Sequence, residues 1–220
     1  MKKSLSYLWP LTKKLESEYS GSLEVTWING RKVLDSLNAN YSFGALQEVL
    51  DLGIAEVRAD RDAPVLLLGL GGGSAIHLLR KKYHYYGKIT AVEIDPAVID
   101  IAYREFQLGE HEPLEIICTD ALEFVKNSSK EFGLIIIDLF LDLDVPVQFF
   151  TADFWSDISA LLSAEGKLLF NAGINSANEQ EIDTLLKNEC LGIEFRKKED
   201  VYGSNTLLLG EKTEVVELYS

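Results

Sequence analysis

Four segments of this 220-residue chain carry residues that can do chemistry. Gly69-Leu70-Gly71-Gly72-Gly73-Ser74 is a glycine-rich loop. Glu93 and Asp95 close an apolar run at Lys88–Glu93. Asp120 follows Leu114–Thr119, and Asp138 follows Phe132–Ile137. Glycines let a backbone turn sharply and approach a ligand closely. Carboxylates accept hydrogen bonds from hydroxyls and amines and can remove protons. A carboxylate at a strand end also serves as a helix cap, so each feature alone is weak. Four in succession point to a ligand crevice.

The elements that must position them follow from periodicity. The continuous apolar run Pro64–Gly69 predicts a buried strand, and Lys88–Glu93, Leu114–Thr119, Phe132–Asp138 and Gly166–Asn171 read as further strands. Helices are expected near Ser42–Val57, Ser74–Tyr83, Pro96–Phe106, Ala121–Asn127, Thr151–Leu162 and Glu179–Lys187. Such alternation builds a parallel sheet covered on both faces. Two last strands, near Ile193–Lys197 and Asn205–Leu209, have no helix between them and predict a terminal antiparallel hairpin. Ser22–Ser36 reads as a β-hairpin around Asn29-Gly30, the dipeptide of a tight turn. Residues 1–20, with Tyr7, Trp9 and Tyr19, read only as a segment that packs on something.

The expected fold class is therefore α/β. It is a Rossmann-like, doubly wound, mostly parallel seven-stranded sheet with a C-terminal antiparallel hairpin and a small N-terminal β-hairpin extension. The expected division is residues 1–40 for the extension and 41–220 for the nucleoside-binding domain.

In such a sheet, ligands sit beyond the carboxyl ends of the strands at the switch point. Glu93 follows the glycine loop at the spacing of an acid that accepts both hydroxyls of a ribose. An NTPase loop needs a lysine before its hydroxyl residue, and Gly73-Ser74-Ala75 has none. A dinucleotide loop needs a third glycine where Ser74 stands. An adenosyl sulfonium needs no phosphate grip. It asks for a glycine loop (Gly69, Gly71, Gly73), an acid on the ribose (Glu93) and an acid near the adenine amine (Asp120).

Val65-Leu-Leu-Leu-Gly-Leu-Gly-Gly-Gly-Ser74, Ala91-Val-Glu-Ile-Asp95, Cys118-Thr-Asp-Ala121 and Leu134-Ile-Ile-Ile-Asp138 resemble the spermidine synthase group. That group lies within the class I S-adenosylmethionine-dependent methyltransferases. Val145-Pro146, Thr151-Ala-Asp-Phe-Trp155, Gly166–Asn171 and an early β-hairpin are also similar to it. The resemblance implies S-adenosylmethionine or its decarboxylated form as donor, no metal, a small-molecule amine or other acceptor, and Asp138 as the catalytic acid–base group. Two amine-binding acids of the group are absent: Gly72 stands at one position and Leu141 at the other. Asp142 and Asp144 lie close by. Tyr41 and Gln47 are further candidates for the acceptor side. Aminopropyl transfer, methyl transfer and a non-catalytic nucleoside-binding partner protein stay open.

Composition narrows the classes. The formal net charge of −14 argues against unaided nucleic-acid binding. No apolar run reaches the roughly 20 residues that span a bilayer, and a cytoplasmic protein, compatible with a homodimer, is expected. Cys118 and Cys190 are expected to be small packed residues. His77, His84 and His111 are not expected to cluster.

Overall fold

The computed structural model describes residues 2–36, 40–42, 45–141, 144–174, 178–188, 191–203 and 205–213. The chain opens with one helical turn, α1 (Lys2–Leu5), and an antiparallel sheet in chain order: β1 (Leu11–Ser17), β2 (Gly21–Ile28), β3 (Arg31–Ser36) and β4 (Asn40–Ser42). Asn29 and Gly30 both take positive φ, 48° and 75°, and turn the chain between β2 and β3 as the dipeptide predicts. The extension is larger than the expected hairpin, because Leu11–Ser17 adds a strand along β2.

Then come α2 (Ala45–Val57), β5 (Val65–Leu68), α3 (Ser74–His77), β6 (Ile89–Glu93), α4 (Pro96–Phe106), β7 (Leu114–Cys118), α5 (Ala121–Asn127) and β8 (Phe132–Ile137). They are followed by α6 (Ala152–Leu161), β9 (Leu162–Ile174), α7 (Glu179–Leu186), β10 (Ile193–Val201) and β11 (Asn205–Lys212). The seven strands lie in the order β10-β11-β9-β8-β5-β6-β7. β5 through β9 run parallel, and β11 returns antiparallel between β9 and β10. The expected fold class holds.

Strand alternation divides the core in two. Val65, Leu67, Leu134 and Ile136 face one layer with Val49, Leu50, Ile54 and Val57 of α2. Leu66, Leu68, Ile135 and Ile137 face the other, with Trp155 and Ile158 of α6. All eight strand side chains are fully buried. Burying a side chain of this size stabilises by about 1.5–3 kcal/mol, so the central strands and the carboxylates that follow them are firmly placed.

The predicted helix after the glycine loop is α-helical only through His77 and widens into a π-helical turn over Leu78–Lys82. β9 begins before Gly166, with an irregular register against β8 where Glu165 takes φ 59°. Among the described residues, no helix is long and apolar enough to cross a membrane.

The N-terminal sheet packs on α4. Leu23, Val25 and Leu34 form a buried cluster with Val98, Ile101 and Phe106. Lys32 Nζ donates to the carbonyl of Glu105 at 2.7 Å and to its carboxylate at 2.8 Å. Lys13 Nζ reaches the same carboxylate at 3.2 Å. Cations at a helix carboxyl end also meet its negative dipole.

Candidate functional site

β5 leads to β6 and β7 on one side, while β8 lies on its other side, so the strand order reverses between β5 and β8. The glycine loop and Asp138 stand at that reversal. Gly69 has φ 91°, and a Cβ there would collide with the backbone carbonyl oxygen of Asp138. A side chain is therefore excluded by both conformation and space. Gly73 has φ 80° and lies against Leu108, while Gly71 is also left-handed at φ 51°. Beyond the loop, the Ser74 hydroxyl is buried and has no hydrogen-bond partner among the described residues.

Glu93 holds this loop. One carboxylate oxygen accepts the Leu70 amide at 3.1 Å, and the other accepts the Asp95 amide at 3.0 Å. Burial pushes its pKa above the ordinary range, while donors from Asp95, Leu70 and Gly71 pull it down. The group remains partly accessible at the end of β6.

Asp95 is 2% exposed and heavily bonded. Its Oδ1 accepts the Ala97 amide at 2.9 Å and caps α4. Its Oδ2 accepts the hydroxyls of Ser17 at 2.5 Å and Ser20 at 2.7 Å, the first at the end of β1 and the second in the turn to β2. Asp120 also caps a helix: Oδ1 accepts the amides of Leu122 at 2.7 Å and Glu123 at 3.2 Å at the start of α5.

Asp138 differs. Its Oδ1 accepts the Asn171 side-chain amide at 3.0 Å, and Asn171 Oδ1 accepts that of Asn205 at 3.1 Å. Asn171 is fully buried. Burial raises the Asp138 pKa from 3.8 to about 6, and the Asn171 hydrogen bond opposes it. Sequence reasoning missed Asn171, Asn205, Ser17 and Ser20. Only the position of Asn171 on the strand beside Asp138 was a signal.

The other candidates scatter. Gln47 is half-buried in the first turn of α2, and the backbone of Tyr41 lies in β4 while its side chain falls outside the description. Asp142 lies outside the described residues. Asp144 is exposed and exchanges backbone hydrogen bonds of 2.9 and 3.2 Å with Leu141.

Two expectations are corrected. His77 and His111 do meet: His111 Nε2 lies 2.7 Å from His77 Nδ1, and His77 Nε2 lies 2.9 Å from the Phe106 carbonyl. The fold returns the segment after α4 to α3, a proximity that 34 residues of separation conceal. Burial, followed by repulsion from His111, lowers the His77 pKa to about 4. Cys118 is exposed rather than packed, because it ends an edge strand. Cys190 lies outside the described residues.

The chain is similar to known proteins along most of its length. Residues 50–197 match the family model "Spermine/spermidine synthase domain". A polyamine aminopropyltransferase of Sulfolobus acidocaldarius is 29% identical over 147 residues, covering 60% of this chain and 49% of that protein. The chain spans half or less of the length of the curated relatives it matches. A probable spermidine synthase of Corynebacterium glutamicum superposes with a TM-score of 0.66 at 16% identity, over 96% of this chain and 80% of that one. Human methyltransferase-like protein 13, solved in complex with SAH, superposes with a TM-score of 0.64 at 18% identity, over 80% of this chain and 85% of that one.

Proposed function

The chain belongs to the spermine/spermidine synthase domain family, and from that premise we propose that it is a transferase that moves the aminopropyl group of decarboxylated S-adenosylmethionine to a small amine. The observation that carries the proposal is Asp138. It is a carboxylate at the switch point, raised in pKa by burial and oriented by the Asn171 amide. Glu93 is assigned to the ribose hydroxyls and Asp120 to the adenine amine. Gly69, Gly71 and Gly73 keep the loop backbone close to the donor. The partnerless Ser74 hydroxyl and the left-handed glycines fit a ligand on that loop. Tyr41, Gln47, Asp142 and Asp144 remain assigned to the acceptor side. The division at residue 40, a cytoplasmic location and a homodimer belong to the same reading. Sedimentation tests the last.

The donor supplies a carbon made electrophilic by its sulfonium. The amine nitrogen forms the new C–N bond with its lone pair, the C–S bond breaks toward sulfur, and a neutral thioether leaves. The nitrogen gives up a proton as the C–N bond forms, which frees its lone pair. Asp138, ionised above about pH 6, accepts the proton. The sheet end fixes the base, and holding the two reactants in line supplies much of the rate.

Methyl transfer from S-adenosylmethionine is the second reading. It is favoured by Gly72, which leaves the loop without an acid to meet the donor's amine or repel its carboxylate. Product identity decides between the two. Incubation with both donors and a set of amines yields methylthioadenosine if aminopropyl moves and S-adenosylhomocysteine if methyl moves. Tight nucleoside binding with neither product would leave the binding-protein alternative.

A further inference from the structure

We infer that the turn between β1 and β2 is a working part of the nucleoside site: Ser17 and Ser20 are positioning residues that act through Asp95 on Glu93 and the glycine loop. The inference rests on the proposed nucleoside reading of the crevice, and goes beyond it by bringing the N-terminal sheet into the site.

The contacts form an unbroken chain. Ser17 and Ser20 both donate to Asp95 Oδ2, at 2.5 and 2.7 Å. Asp95 donates its amide to Glu93 Oε1 at 3.0 Å, and Glu93 Oε2 accepts the Leu70 amide at 3.1 Å. Three hydrogen bonds in series, the first made twice in parallel, thus join the extension to the glycine loop. The turn is itself shaped for the task. Ser17 Oγ accepts the amides of Tyr19 and Ser20, each at 3.0 Å, which fixes the hydroxyl while it donates to Asp95.

The charges explain why the serines are needed. Asp95 is nearly inaccessible, and its negative charge works against the ionised form of Glu93. A buried carboxylate persists only when donors replace the water it has lost. The Ala97 amide serves one oxygen, and the two hydroxyls serve the other. Without them, Asp95 Oδ2 is left buried without those two donors, and a shift of the side chain toward others disturbs the backbone at Ile94–Asp95, whose amide fixes one oxygen of Glu93. The ionic contacts of Lys13 and Lys32 with Glu105 hold the far end of α4. The sheet therefore grips that helix at both ends, and its serine end is the one that touches the crevice.

The test uses the full chain and methylthioadenosine and S-adenosylhomocysteine as probes in calorimetry. Ser17→Ala/Ser20→Ala is expected to weaken nucleoside affinity about tenfold, as hydrogen bonds to charged groups are the stronger kind. Ser17→Thr/Ser20→Thr keeps both hydroxyls and is expected to restore it. Thr12→Val/Thr26→Val removes a 2.9 Å hydroxyl contact elsewhere in the same sheet and is expected to leave affinity unchanged. Coupling between sites is reciprocal, so nucleoside should slow hydrogen exchange of the Tyr19 and Ser20 amides in the native protein. An unchanged affinity in the alanine pair overturns the inference, as does equal weakening in the Thr12/Thr26 pair. If the alanine pair does not fold, Ser20→Ala alone and the exchange measurement decide, and no added protection at Tyr19 and Ser20 overturns it. A native protein that binds neither nucleoside removes the reading of the crevice itself, an outcome distinct from binding that ignores the serines.

Discussion

Replacing Asp138 with asparagine separates stability from chemistry at one atom. The carboxyl of Asp138 ionises near 3.8 in the unfolded chain and at about 6 in the fold. Because the folded value is raised, the folded state holds the proton more tightly, and stability is lost as pH rises from the first value to the second. The full difference, at about 1.4 kcal/mol for each tenfold, is roughly 3 kcal/mol at pH 7. Asparagine keeps the shape and an oxygen for the Asn171 amide, so Asp138→Asn should recover most of it. For a chain of this length that is a rise in Tm of roughly 6–10 °C at pH 7. At pH 4 the gain should shrink to about 0.5 kcal/mol, since the folded carboxyl is then almost fully protonated and the unfolded one is only about half ionised. Turnover should fall by about 10²–10⁴, the usual worth of a general base, while nucleoside affinity holds. Calorimetric melting at the two pH values and a product assay make the comparison. A Tm at pH 7 that stays level or drops would refute the desolvated carboxylate, and full turnover in the variant would refute the base.

The rate of the native protein should climb with pH through about 6 as Asp138 ionises, an arm measured as kcat/KM against pH and absent in Asp138→Asn. Glu93→Ala should weaken methylthioadenosine binding at least roughly tenfold by calorimetry, because a charged acceptor of two hydroxyls contributes on the order of 1.5–3 kcal/mol; equal affinity in a folded variant counts against the ribose assignment. With Gly72 in the loop, preference for the decarboxylated donor should stay under about a hundredfold, and a larger ratio in competition assays would show another residue in that role, Asp142 first. The depressed His77 value means that its contribution to stability is complete above about 6.5 and is lost as pH falls toward about 4; His77→Gln should flatten the Tm profile across that window, and an unaltered profile would assign the acid sensitivity elsewhere.

The parallel sheet was legible because β5 and β8 are short apolar runs bounded by turn residues, and a run such as Leu134–Ile137 has the length and β-branched content of a strand buried on both faces. The helix bounds at Pro96–Phe106 and Ala121–Asn127 were legible for a local reason: Asp95 and Asp120 are caps, and capping chemistry is written beside the helix it starts. β1 was not legible. Lys13, Lys14 and Glu16 leave it without apolar alternation, since most of the strand faces water and its pairing with β2 holds it. The His77–His111 contact and the Asn171–Asn205 pair were hidden for a different reason. Each joins side chains that only the return of the chain brings together, and neither residue type announces a partner. The same holds for Ser17 and Ser20, ordinary turn residues until α4 is set beside them.

The four strand-end carboxylates matched one another in sequence, and the fold sorts them. Asp95 and Asp120 are each followed directly by a helix, and each gives an oxygen to the amides of that helix. Glu93 spends both oxygens on backbone amides that shape the loop. Asp138 is not followed directly by a helix: Leu141 and Asp144 pair through their backbones, a 3₁₀ turn spans Val147–Phe150, and the next α-helix opens at Ala152 under a Thr151 cap. Among the described residues, Asp138 accepts the Asn171 side-chain amide and caps no helix, where its neighbours meet backbone donors, and burial lifts its pKa. A carboxylate that shaped a turn would be held ionised by donors and would be a poor base at neutral pH. One left short of donors at the switch point is costly for the fold and suited to accept a proton there. The strand order sets that site beside Gly69, whose missing side chain leaves room for the Asp138 backbone to approach.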